Sequence, residues 1–241
     1  HSCNNPFCFL TMLNNSDGQE YISGKILLIN KPIGWSSFDV VKKVKHIIQK
    51  KYNLKKIKVG HAGTLDPLAT GLLILCTGKY TKKIAKIQAD YKIYTGELFL
   101  GATTPSYDRE TKINAQFETK HINKKLLTKT LQKFIGEIDQ TPPVFSALKK
   151  NGERLYKKAR RGDIVQINSR KVFVDYFEIT KIDMPKICFK IRCGKGTYIR
   201  SIVHDFGKSL KSGAYLTKLC RIAIGEKSLT NAVEVNCLEK F

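Results

Sequence analysis

The chain has 241 residues, 42% of them apolar, enough for a sizeable core and for one large domain or two small ones. Lys and Arg number 43 against 20 Asp and Glu, a net charge of +23, which points to a polyanionic partner, nucleic acid before an anionic membrane. No apolar run is long enough for a membrane-spanning helix, and the longest early run, Phe7 to Leu13, is broken by Thr11 and lacks the basic segment that precedes a secretory signal.

Only 8 of the cations are Arg, so most of the positive field comes from Lys, a point charge suited to phosphates; the few Arg are the better candidates for forked, specific contacts. The seven cysteines are odd in number and include no C-x-x-C pair and no zinc-like spacing with His. They read as free thiols in a reducing compartment, hence a cytoplasmic protein, with Cys188 and Cys193 in the core.

In chain order, residues 1–23 read as a poorly ordered lead-in. Lys25 to Asn30 is a short apolar strand and K-P-I-G (31–34) a turn. Ser36 or Ser37 can cap a helix carrying Phe38, Val41, Val44, Ile47 and Ile48 at helical spacing, along with five lysines. A glycine-rich loop, Gly60 to Gly71, leads into a buried strand at 72–76 and then a basic helix. Tyr91 to Leu100 alternates as a strand, 103–122 is polar and turn-rich, and Asn123 caps a second helix that closes at Gly136. The segment 141–152 reads as a loop, since regular structure cannot run through Pro142-Pro143, and Arg154 to Arg161 is a short basic helix. Strand-like segments at 163–168, 171–183 and 186–193 precede a helix from about Thr197 to Leu210. With no internal repeat and no linker after residue 24, one mixed α/β domain is the economical reading.

The sharpest chemical signal is Asp66-Pro67. Gly60, Gly63 and Gly71 permit unusual backbone angles around the acid, and Pro67 biases Asp66 away from helix, so the carboxylate has few soft torsions. The same residues also fit an Asp that merely satisfies backbone N–H groups in a turn. His61 is five residues earlier and can be an acid–base partner or a structural loop residue. Tyr94 can stack a base or fill the core. Arg200, beside Tyr198 at a helix start, suits a phosphate or carboxylate, or pairs with a structural acid.

As an ordered set these segments resemble one family. G-K-I-L-L-I-N-K-P-I-G-W-S-S-F-D-V-V (24–41), G-H-A-G-T-L-D-P-L-A-T-G-L-L-I (60–74), K-I-Y (92–94), L-G-A-T-T (100–104), P-P-V-F-S-A-L-K (142–149), K-G-T-Y-I-R-S (195–201) and L-T-K-L-C-R (216–221) occur in the order seen in the TruB family of tRNA pseudouridine synthases. The resemblance runs from Gly24 to Thr230. It implies an α/β fold of the α+β type, a catalytic domain with a central mixed, mainly antiparallel sheet flanked by helices and loops. It implies isomerisation of uridine 55 in the T arm of tRNA. By position, Asp66 matches the nucleophile, His61 the residue that helps extrude the target, and Tyr94 the tyrosine that stacks on the flipped base. Tyr198 matches a tyrosine packed beside the site, Arg200 the arginine paired with the aspartate, and Leu219 a residue lining the uracil pocket. Lys31 and Pro32 match the motif that buttresses the catalytic loop. Asn30 stands where the family usually has Asp, and Ser36 where Thr is usual.

The resemblance further implies a monomer acting on the tRNA T arm, with no metal, no organic cofactor and no membrane. The implied layout is a lead-in at 1–23, a catalytic domain at 24–230 and a short tail at 231–241. That tail is too short for the PUA-type RNA-binding domain of many relatives. Because the chain opens on His1, residues 1–11 are taken as foreign to the natural product and Met12 as its start. N-terminal sequencing of the native protein is expected to begin at Met12; a native peptide containing Phe7 would overturn this.

Overall fold

The computed structural model describes residues 18–235 and Cys237. The expectations for residues 1–17, for 236 and for 238–241 lie outside the described residues.

In chain order the elements are α1 (Gly18–Ser23), β1 (Ile26–Lys31), α2 (Ser37–Lys51), β2 (Val59–His61), β3 (Thr70–Thr77), a 3-10 segment (Gly78–Lys83), α3 (Ile84–Ala89) and β4 (Lys92–Leu100). Then follow β5 (Ala102–Thr103), β6 (Ala115–Gln116), α4 (Lys124–Leu131), β7 (Gly136–Gln140), β8 (Lys149–Lys150), β9 (Glu153–Arg154) and α5 (Leu155–Arg160). The chain continues through β10 (Arg170–Asp183), β11 (Lys186–Cys193), α6 (Ile199–Ser209), β12 (Ala214–Ile224), β13 (Lys227–Ser228) and β14 (Val233–Glu234). The chain divides into two compact units, His1–Tyr94 with Cys220–Phe241, and Thr95–Leu219; β4 and β12 pass from one into the other.

In the first unit β1 pairs antiparallel with β3 and parallel with β14, while β3 pairs with β2 and, in parallel, with the end of β12. The run Leu72 to Cys76 is continuously apolar because β3 is covered on both faces. Leu73 and Leu75 pack with Leu27, Ile29 and the inner face of α2; Leu72, Ile74 and Cys76 pack on the other side with Ala62, Ile87 and Ile224. Helix α2 opens with a capping box: the Ser36 hydroxyl accepts from Asp39 N (3.1 Å) and the Asp39 carboxylate accepts from Ser36 N (2.9 Å). Phe38, expected in the apolar stripe, is 59% exposed, with the Lys42 ammonium 4.8 Å from its ring centroid. At 3.6 residues per turn it lies about 120° around the helix from Val44, off the face that Val40, Val41, Val44 and Ile48 bury.

Ordered structure also begins before Gly24. Gly18–Ser23 is helical, and Tyr21 is fully buried against Tyr52, with ring centroids 5.4 Å apart. At the other end Ile29 and Asn30 pair with Val233 and Glu234, so part of the expected tail is a sheet strand.

In the second unit the strand order is β12-β4-β11-β10-β7, with β10, β11 and β7 antiparallel. Phe206 of α6 meets Phe134 and Phe177 edge to face, and Phe177 meets Phe189 in the same way. The expected strand at 163–168 is irregular: Ile164 is completely exposed, Val165 and Ile167 are only half-buried, and the strand starts only at Arg170. No described helix is long and apolar enough to cross a membrane.

Tyr21→Ala is expected to cost about 3 kcal/mol, as for other buried aromatic truncations, read as a lower midpoint in urea unfolding. An unchanged midpoint would mean that α1 adds nothing to the fold.

Candidate active site

Asp66 lies half-buried in the loop 62–69 between β2 and β3. Its carbonyl accepts from Ala69 N (3.0 Å), a tight turn that the following Pro67 favours. Three side chains from outside grip the loop backbone. The Ser37 hydroxyl donates to Leu65 O (3.1 Å) and accepts from Leu65 N (2.8 Å). The Lys31 ammonium, 0% exposed, donates to Trp35 O (2.7 Å), Pro32 O (2.9 Å) and Pro67 O (3.4 Å). The Arg221 guanidinium, 1% exposed, donates from Nε to Leu72 O (2.8 Å), from Nη2 to Gly63 O (3.0 Å) and from Nη1 to Thr64 O (3.4 Å). Gly34 N adds a bond to Pro67 O (2.8 Å). Gly71 (φ 103°) allows this closeness, since a Cβ there would overlap the backbone of Arg221 on the neighbouring strand.

Burial pushes the Lys31 pKa down to about 8; Asp66 opposes this and Arg221 adds to it, so Asp66 lies within the electrostatic reach of a buried cation. Burial, and then the Arg221 charge, hold the His61 pKa below the ordinary histidine value, favouring the neutral ring. Tyr94 is buried on β4, two residues after Lys92, whose ammonium donates to Gln88 O (2.6 Å) and to Asp90 O. In the first unit the structure therefore brings Lys31, Pro32, His61 and Asp66 to one loop system.

In the second unit, Tyr198 and Arg200 sit at the start of α6. Gln140 fixes this end of the helix, accepting from Tyr198 N (2.8 Å) and donating to Tyr198 O (3.0 Å). The Arg170 guanidinium lies 5.1 Å from the Tyr198 ring centroid. Arg200 is buried and donates to Phe145 O (2.9 Å) and Ser106 O (3.1 Å), with the buried Asp108 carboxylate 3.6 Å away. Leu219 is buried on β12.

Two residues here carried no role in the sequence reading. Asp108 falls in a polar, turn-rich stretch where one more acid carries no signal. Arg221 did leave one: a charge in the otherwise apolar strand run L-C-R-I-A-I sits where alternation calls for a core residue. Chemically, the first unit holds a carboxylate on a braced backbone beside buried positive charge, the arrangement of a positioned nucleophile or base.

The fold is that of the pseudouridine synthases. The chain superposes on one in the crystal structure of a Cbf5–Nop10–Gar1 complex with a TM-score of 0.67 at 25% identity, covering 90% of this chain and 54% of that one. A chain in the structure of an H/ACA RNP bound to a substrate RNA containing 2′-deoxyuridine shares the fold at TM-score 0.64 and 22% identity, covering 92% of this chain and 55% of that one. Within that class the sequence profile of the TruB family pseudouridylate synthase (N terminal domain) matches residues 49–199, and the chain belongs to this family. It is 54% identical to tRNA pseudouridine synthase B of Flavobacterium johnsoniae over 92% of this chain and 97% of that protein. It is 48% identical to the protein of that name from Phocaeicola vulgatus over 90% and 93%.

The folded Lys31 pKa, about 8, lies below its ordinary value of 10.5, so between those limits the unfolded chain binds a proton that the folded chain has released. The Lys31 contribution to stability therefore rises with pH across that window. Urea midpoints measured from pH 8 to 10.5 are expected to rise less in Lys31→Met than in the wild type; identical slopes would place the ammonium in water.

Proposed function

We propose that this protein is a tRNA pseudouridine synthase acting on uridine 55 of the T loop, with Asp66 as the nucleophile. The observation that carries the reading is the loop backbone of Asp66, gripped by Lys31, Ser37 and Arg221 in a chain of the TruB family. The relatives bear the name tRNA pseudouridine synthase B.

The reaction breaks the N1–C1′ bond, turns the detached uracil and joins C5 to C1′; the C5 proton leaves and N1 gains one. Atoms and oxidation state are conserved, so the isomerisation needs no metal and no organic cofactor. The uridine must leave its stack to be reached. Asp66 attacks the sugar or the base, or takes the C2′ proton. His61 helps extrude the target, and Tyr94 holds the freed uracil by its face, a contact worth ~1–3 kcal/mol. Arg200 supplies the charge against which Asp66 works, Tyr198 and Leu219 wall the pocket, and Lys31 with Pro32 braces the loop. Exposed lysines on α2 and around Lys79–Lys86 meet tRNA phosphates, so affinity falls steeply with salt. The segment 141–161 closes on the T arm, and the folded loop is recognised by shape. The enzyme acts as a monomer in the cytoplasm.

The test is incubation with an unmodified tRNA transcript and mapping of pseudouridine at single-nucleotide resolution. One modified site, position 55, is expected; no product would leave a non-catalytic RNA-binding module. Asp66→Asn is expected to abolish product while tRNA binding stays within about twofold, and near-normal turnover in that variant would remove Asp66 from the chemistry. Tyr94→Leu should lose activity with unchanged circular dichroism, whereas retained activity would return Tyr94 to the core.

A further inference from the structure

The turn that holds Arg200 sits in a conformation its sequence disfavours. Tyr107 has φ 64°, the left-handed region, where a bulky residue is a true outlier that its surroundings must impose. Those surroundings are identifiable. The Tyr107 ring stacks on His204, centroids 3.8 Å apart and planes 16° from parallel. Its carbonyl accepts from Leu216 N (2.9 Å) and its N–H donates to Thr104 O (3.1 Å). The residues on either side are the two that meet the guanidinium: Ser106 through its carbonyl and Asp108 through its carboxylate. Asp108 O is fixed in turn by the hydroxyls of Thr104 (2.7 Å) and Ser106 (3.3 Å).

His204 lies four residues after Arg200 on α6, so one helix face presents both the guanidinium and the ring. His204 Nδ1 is buried and makes no hydrogen bond among the described residues. Burial, then Lys208, favours the neutral ring. A half-buried imidazole whose Nδ1 is buried without a bond contributes here through its face.

We propose that the Tyr107–His204 stack is a positioning device for Arg200, holding the 104–108 turn so that Ser106 O and the Asp108 carboxylate both reach the guanidinium. Helix α6 then carries its own template: Arg200 is set by a turn which is itself set by His204, one turn further along the same helix. The consequence for catalysis rests on the role given above to Arg200 as the charge opposite Asp66.

The test measures single-turnover pseudouridine formation and tRNA Kd separately, with the nitrogen-15 NMR signal of the Arg200 Nε–H as a readout independent of activity. His204→Ala is expected to slow the rate roughly ten- to hundredfold, as small misplacements of catalytic groups do, with Kd within about twofold and the Arg200 signal shifted or lost. His204→Phe keeps a ring to stack on and should restore both. Tyr107→Gly removes the ring while relieving the left-handed strain, so it should fold and yet be slow. Asp108→Asn should cost less on the His204→Ala background than alone, because both act on one guanidinium. An unmoved Arg200 signal in His204→Ala, a His204→Phe as slow as His204→Ala, or additive losses with Asp108→Asn would each overturn the proposal. A shifted Arg200 signal with a wild-type rate would uphold the clamp and remove Arg200 from the chemistry proposed above.

Discussion

Burying a cation is unfavourable unless its donors find acceptors, and this constraint fixes the loop that carries Asp66. Lys31 and Arg221 leave water completely, and both direct their donors at backbone carbonyls in or beside that loop. The dependence runs both ways. The loop carbonyls would be poorly satisfied without the cations, and a shift of the loop would strand two buried charges. Several other features follow from it. Gly71 must lack a side chain so that β3 and β12 can approach where Arg221 leaves the strand. Ser37 must sit at the start of α2, where one hydroxyl serves both N–H and C=O of Leu65.

What could be read from the amino-acid order follows from how local each cause is. The buried strand at 72–76 and the cap at Ser36 declare themselves through runs and spacing a few residues long. Asp66 also declares itself, through Pro67 and three nearby glycines. The misreadings come from tertiary facts. Phe38 has the spacing of a core residue until the stripe is seen to centre on Val44. The apolar residues at 163–168 look like a strand until Ile164 is found with nothing to cover it. Gly18–Ser23 looks like lead-in because Tyr21 finds its cover in Tyr52, thirty-one residues later. Asp108 and Arg221 act on partners dozens to more than a hundred residues away, and no local pattern encodes that.

The two kinds of cation divide the work. Six of the eight arginines have a forked or paired role with a named group: Arg200 and Arg221 on backbone carbonyls, Arg170 on Gly196 O and the Tyr198 ring, Arg160 on Glu110, Arg161 on Glu153 and Asp163, Arg192 on Asp175. The lysines of α2 and of Lys79–Lys86 largely face solvent. The planar guanidinium keeps its charge when buried and reaches several acceptors from one rigid plane, whereas a mobile ammonium suits a phosphate whose position need not be fixed closely. Salt screens the second population and the exposed pairs of Arg160, Arg161 and Arg192, and hardly touches the buried Arg200 and Arg221. The exposed positive field and the geometry of the loop that carries Asp66 are thereby set by different residues. Surface charge can vary without moving Asp66, and the exceptions, Lys31 and Lys92, are lysines that burial has turned into structural donors.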